Sequence, residues 1–228
     1  METLLPELWL AMVLIALRID RIGKGYRLPE GSPLAKGKEL GLAVELSASV
    51  SDFEALAGPR DQEPGITNRR LLRKSQWIDL VLIVAYVGLF ARLGCKEASR
   101  GPLWASILGW TTLVSILLAG LFDVAEDRVI RRLVDGTSRI GARPFGQPKW
   151  IFYFLAISSL APAFLPPACQ ACWGYIQAAL LLPGGLLGLG AALGGNRKGI
   201  SLGLTLTLAG IAALGVSILW PALCPWPS

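Results

Sequence analysis

Residues 77–94 read WIDLVLIVAYVGLFARLG, and only Asp79 and Arg92 among them are charged. An α-helix of this length, at about 1.5 Å per residue, reaches about 27 Å, close to the hydrocarbon thickness of a bilayer. Both charges lie near the ends, where their side chains can reach the polar interface. The stretch reads as a membrane span, and the chain repeats it. Leu103–Phe122, Trp150 to about Pro166, about Tyr175 to Leu193, and Ile200–Trp220 are similarly apolar. Trp77, Trp104, Trp150, Trp173 and Trp220 fall near the ends of these stretches, the interfacial position tryptophan favours.

Composition agrees. Hydrophobic residues make up 53% of the 228 and charged ones 17%, with the charges gathered in blocks between long uncharged runs. The chain has no histidine, which removes the commonest haem, zinc and copper ligand and the usual neutral-pH general base. Carboxylate, thiolate or backbone ligation stays open. No cofactor is expected of the chain alone; bound lipids are, and nucleic acid is not an expected partner.

Before the first long span, Leu4–Ile19 is apolar apart from Glu7 and Arg18 and contains Pro6. It is read as a short or tilted membrane helix, with an interfacial anchor as the other option. A secretory signal would carry a basic start, whereas Glu2 stands there without lysine or arginine. Residues 20–76 are polar and rich in glycine and proline. Leu40, Leu42, Val44 and Leu46 alternate as in a short strand, and Ser51-Asp52 resembles an N-cap for a brief helix through Leu56. A segment so poor in aromatics is expected to be held against something else. The fold expected is therefore all-α, a polytopic transmembrane helix bundle of five spans plus a short N-terminal one. Its parts are residues 1–19, a polar segment 20–76, and the bundle 77–228 with a loop at 123–149.

Charge orients the spans. Residues 20–76, 123–149 and 194–199 hold eighteen lysines and arginines, whereas 95–102, 167–174 and 221–228 hold two, Lys96 and Arg100. The positive-inside rule puts the first group on the inner face. All four cysteines (Cys95, Cys169, Cys172 and Cys224) then lie outside, where disulfides persist. Structural bridges, free thiols and a redox-active pair are the readings open to them.

The third of these draws on "ISSLAPAFLPPACQACWGYIQAALLL", residues 157–182, in which Cys169 and Cys172 open a membrane helix preceded by another. This stretch resembles the vitamin K epoxide reductase family. The resemblance implies a membrane thiol–disulfide oxidoreductase using Cys169 and Cys172 and passing electrons to a quinone. The family has a second cysteine pair in an earlier outer loop, where this chain has Cys95 alone.

The other constellation is "LFDVAEDRVIRRLVDG", residues 121–136. Asp123, Glu126 and Asp127 share one face of a helix, and Asp127 pairs favourably with Arg131 at i, i+4. Asp79, on the neighbouring span, is expected at similar depth. Such a cluster can hold a cation, relay protons or grip a basic partner; an interfacial helix satisfied by its own arginines is the alternative. The spaced aspartates of CDP-alcohol phosphotransferases are missing. Segment 40–165 resembles bacterial multi-span proteins with an Asp-x-x-Glu-Asn element after a span, with Asp127 at the last position here; this implies architecture only.

Gly184 and Gly188, Gly190 and Gly194, and Gly199 and Gly203 are each spaced by four, giving the last two spans small-residue faces. These are read as packing within a hairpin, or else as a seam between copies. Pro183 is expected to bend the fourth span. Taken together, the residues point first to a structural or accessory subunit of a larger membrane complex, with other membrane subunits and lipids as partners. The membrane would be an energy-coupling one: mitochondrial inner, plastid or bacterial inner. The quinone-linked oxidoreductase is one alternative, and an ion-binding or transport protein using Asp79, Asp123, Glu126 and Asp127 is another.

Overall fold

The computed structural model describes residues 4–32, 34, 36–99, 102–164 and 172–219. It contains eight α-helices among them and no strand: α1 (Leu4–Gly23), α2 (Leu40–Glu45), α3 (Val50–Ala57), α4 (Gly65–Ala98), α5 (Leu103–Asp135), α6 (Arg143–Leu160), α7 (Cys172–Leu193) and α8 (Arg197–Leu219). Short 3-10 turns precede α2 (Gly37–Glu39) and follow α6 (Ala161–Phe164). Among the described residues, four helices are long and apolar enough to cross a membrane: α4, α5, and the stretches Tyr175–Leu193 of α7 and Arg197–Val216 of α8. The chain is an all-helical integral membrane protein. α1 and α6 are not among the four; α6 carries Arg143 and Lys149 in its first two turns.

The membrane-length helices show their surroundings on their surfaces. Along α5 the exposed residues are Leu103, Trp104, Ile107, Trp110, Val114, Leu117 and Leu121, and the next exposed position is Arg128. That stripe recurs every three or four residues, as one face of a helix must. From Arg70 to Val84 the exposed series of α4 runs Arg70, Arg73, Lys74, then Trp77, Val81 and Val84. In both helices the outward face changes from charged to apolar within about two turns. Such a change is what a helix crossing from water into acyl chains requires.

The chain divides into two compact units. One comprises Ala11–Val84 and Leu121–Pro148. Its core joins Ile22, Tyr26, Leu34, Leu40, Val44, Phe53 and Leu56 to Leu72 of α4 and to Ile130 and Leu133 of α5. The polar segment thus finds its apolar partners in this same chain, on the ends of α4 and α5 that run beyond the apolar stretches. The expected strand at 40–46 is instead the helix α2. Its buried residues are Leu40, Ala43 and Val44, spaced i, i+3, i+4; Ala43, on the supposedly outward side of the alternation, is a core residue, so the period is helical.

The cap of α3 stands two residues earlier than expected. Ser49 Oγ accepts from Asp52 N at 3.1 Å and Asp52 Oδ2 accepts from Ser49 N at 3.1 Å, a reciprocal capping box. Asn68, fully buried, ties three chain segments: its Nδ2 donates to Arg27 O (2.6 Å) and Ala57 O (3.0 Å), and its Oδ1 accepts from Arg27 N (2.9 Å). At the end of α5, Gly136 takes φ +70, and Arg60 Nη2 donates to Val134 O at 3.0 Å, satisfying a carbonyl the helix leaves over.

The other unit comprises Met1–Leu10, Ala85–Gly120 and Lys149–Ser228. Here α6 packs against several neighbours. Tyr153 meets Tyr86 and Phe90 of α4 edge-on, at 5.9 and 6.4 Å between ring centroids, and Phe154, Ala156 and Ile157 are fully buried. α4 and α5 cross where Gly94 faces Gly109: a Cβ on Gly94 would stand 2.9 Å from Gly109 O, and one on Gly109 would meet the backbone of Ala98. α7 packs along α8. A Cβ on Gly203 would come 2.5 Å from Gly188 Cα, and Gln177 Nε2 donates to Ala213 O at 3.1 Å. Trp9 of α1 lies on α8, with Nε1 donating to Ile211 O at 2.9 Å.

Candidate functional site

α4 and α5 bring three carboxylates together. Asp79, Asp123 and Asp127 each offer an oxygen, and these oxygens all lie within 4.8 Å of one another. Their placement follows from helical phase. The outward face of α5 is marked by Leu117, Leu121 and Arg128, so Asp123 and Asp127, one turn apart, fall on the inward side and are 5% and 2% exposed. Asp79 follows Trp77, where α4 turns from charged to apolar. Glu126 is buried too, but it is not one of the three; its Oε1 lies 3.2 Å from where a Cβ on Gly146 would stand.

Basic and polar groups border the cluster. Arg131 Nη2 lies 4.0 Å from Asp127 Oδ2, and the guanidinium sits over the Trp77 ring, 4.5 Å from its centroid. Gln76, three residues before Asp79 and so on its side of α4, is buried, and its Oε1 has no hydrogen-bond partner among the described residues. Ser75 Oγ donates to Leu72 O at 2.8 Å, which leaves Tyr26 O–H as the donor to Ser75 Oγ across 3.4 Å. Burial, chiefly, pushes the Tyr26 phenol up to about 12, with the Ser75 hydrogen bond lowering it and the charges of Glu45 and Asp79 adding smaller upward contributions.

Charge decides what such a cluster can do. Two carboxylates at this separation repel by about 3–4 kcal/mol at an effective dielectric of ~20. Three carboxylates this close call for positive charge beside them. Carboxylate and amide oxygens together are the ligands hard cations take.

The other singled-out residues stand apart from this cluster. Cys95 is free and exposed, so of the readings open to the cysteines it takes that of a free thiol. Cys169, Cys224 and the side chain of Cys172 lie outside the described residues. Of the paired glycines, Gly184, Gly188, Gly199 and Gly203 lie in close contact: Gly184 faces Leu206 and Thr207, Gly188 faces Phe154, and Gly199 faces Ala191. Gly190 has nothing within 4 Å of a built Cβ, and Gly194 meets only backbone of its own helix region. Pro183 sits inside a continuous α7. Sequence reading missed Tyr26 and Gln76 as neighbours of the acidic residues. Gln76, at i−3 from Asp79, was findable from helical spacing; Tyr26, far away in the chain, carried no such signal.

Helices of membrane length with a buried acidic cluster at the basic end of two of them define the class: an integral membrane protein. Comparisons with protein-family models, with curated proteins and with solved structures find no match to this chain.

Proposed function

We propose that this is a cation-binding integral membrane protein whose working site is Asp79, Asp123 and Asp127 at the inner boundary of the membrane. The observation that carries it is the convergence of three carboxylates from two spans within 4.8 Å, two of them buried. Ionisable groups at membrane depth are costly and mark ion or proton paths. Carboxylates converging from two helices are ligands that a hard divalent cation takes. Gln76 Oε1 adds an uncharged oxygen of the kind such ions accept.

Titration of the purified full chain with Mn²⁺, read by the loss of free-ion paramagnetic resonance, tests this. Saturable binding is expected, abolished by Asp123→Asn and by Asp79→Asn with helicity retained. Absence of saturable binding in the wild type defeats the reading. Binding that survives both substitutions defeats it equally.

The reading includes six spans, with α1 and α6 as the two beyond the four. Supporting α1, Leu8 packs at Gly88 and Trp9 at Ile211 and Gly215, deep along α4 and α8, while Ile22 joins the core at the basic end. The membrane would be a bacterial inner membrane or an organellar counterpart. The accessory-subunit reading keeps two supports, the absence of histidine and of a catalytic set in the sequence and the absence of charge along α7 and within α8 after Lys198. Its other support, a polar segment in need of a partner, is met inside this chain by α4 and α5. Native co-purification with one fixed assembly is the result that would favour it.

A further inference from the structure

We propose that the outward face shared by the basic ends of α4 and α5 binds the headgroups of anionic phospholipids. The two helices are neighbours there, since Arg73 pairs with Asp135 and Arg131 lies over Trp77. Their exposed surfaces therefore form one continuous face. It carries the exposed Arg70, Arg73 and Lys74 from α4 and Arg128 and Arg132 from α5, with the half-buried Arg131 beside them, against a single exposed acid, Asp135. Asp135 is taken by Arg73 and Asp127 by Arg131. Arg70, Lys74, Arg128 and Arg132 make no ion pair among the described residues.

The neighbouring surface says what covers this face. On α4 the basic residues pass directly into Trp77, Val81 and Val84, all exposed, and on α5 Arg128 follows the exposed series that ends at Leu121. A basic patch continuous with an apolar stripe matches one molecule bearing an anionic head and two acyl chains. An acidic soluble protein would match the charges and leave the stripe bare. Trp77 stands at the join, more than half exposed, with a guanidinium on its ring, and an indole is suited to this depth of the bilayer. Each exposed lysine or arginine near an anionic leaflet adds to the attraction, and salt screens it. Nothing in this depends on cation binding at the aspartates.

The test uses the full chain in phosphatidylcholine vesicles containing traces of spin-labelled phosphatidylglycerol or spin-labelled phosphatidylcholine. The measurement is the ratio of their association with the protein. The wild type is expected to favour the anionic lipid about threefold or more at low salt, and to lose that preference at high salt. Substituting Arg70→Gln, Lys74→Gln, Arg128→Gln and Arg132→Gln together should bring the ratio close to one. Lysine at the three arginine positions should retain most of it. A wild-type ratio of one overturns the proposal, as does a preference that persists at high salt or in the four-fold glutamine variant. So does an acidic protein that occupies this face in native membranes and leaves lipid selectivity unchanged when removed. Should the glutamine variant not fold, the salt dependence of the wild type alone decides.

Discussion

Tyr26 shows how one residue can join the extramembrane core to the acidic cluster. It is buried between core residues, hydrogen-bonds Ser75, and feels the charge of Asp79 four residues further along α4. Its folded pKa, about 12, lies above the ordinary 10. The folded state therefore holds this proton more tightly than the unfolded state does. The associated stability is complete below pH 10 and is lost as pH rises from 10 through 12. It amounts to about 2–3 kcal/mol, on the scale of one pKa unit per 1.36 kcal/mol. Thermal unfolding between pH 9 and about 12 should show this decline in the wild type. Tyr26→Phe, which has no proton to lose, should flatten it; an unchanged slope would mean Tyr26 does not govern it. Neither the burial of Tyr26 nor its neighbours were legible in the sequence, because they join residues of the polar segment to a distant helix.

Among elements, the crossing of α4 and α5 makes the strictest demand. Gly109 faces the backbone of Ala98, which cannot move aside as a flexible side chain can. Gly109→Ala should separate the helices and cost about 1–3 kcal/mol, the scale of overpacking. Gly190→Ala provides the contrast, since nothing stands within 4 Å of its Cβ and alanine favours the helix by up to about 1 kcal/mol. Unfolding temperatures in detergent should therefore fall for the first and hold or rise for the second; equal effects would contradict the packing described. The spacing of four picked out Gly190 and Gly194 along with Gly184, Gly188, Gly199 and Gly203, and missed Gly94 and Gly109. Small residues permit close approach in lipid, but which of them is used depends on the direction a neighbouring helix arrives from.

For the whole molecule the decisive quantity is sidedness. In a chain freed of its four cysteines, new ones at Leu4→Cys, Glu30→Cys, Arg139→Cys and Asn196→Cys report it through a membrane-impermeant thiol reagent. The last three should label from one face and position 4 from the other. Labelling of 4 and 30 together would remove α1 as a span, and labelling of 139 and 196 from opposite faces would remove α6. The orientation rests on the eighteen basic residues gathered in residues 20–76, 123–149 and 194–199. The same asymmetry supplies the basic face that the lipid measurement probes.

Sequence alone determined that this is a helical membrane protein, because the evidence is one-dimensional. Runs such as 77–94 are long and apolar enough to span whatever their neighbours do. It also placed Asp123 and Asp127 on one helix face, since that needs only the period of 3.6. Tertiary structure alone decided the rest. The run 40–46 is helical because Ala43 meets a core built from α4 and α5, which overrides a local alternation of leucines. Asp79 comes within 4.8 Å of Asp123 and Asp127 because two helices cross in one register. Register is fixed by side-chain packing between elements distant in sequence, and no local pattern encodes it.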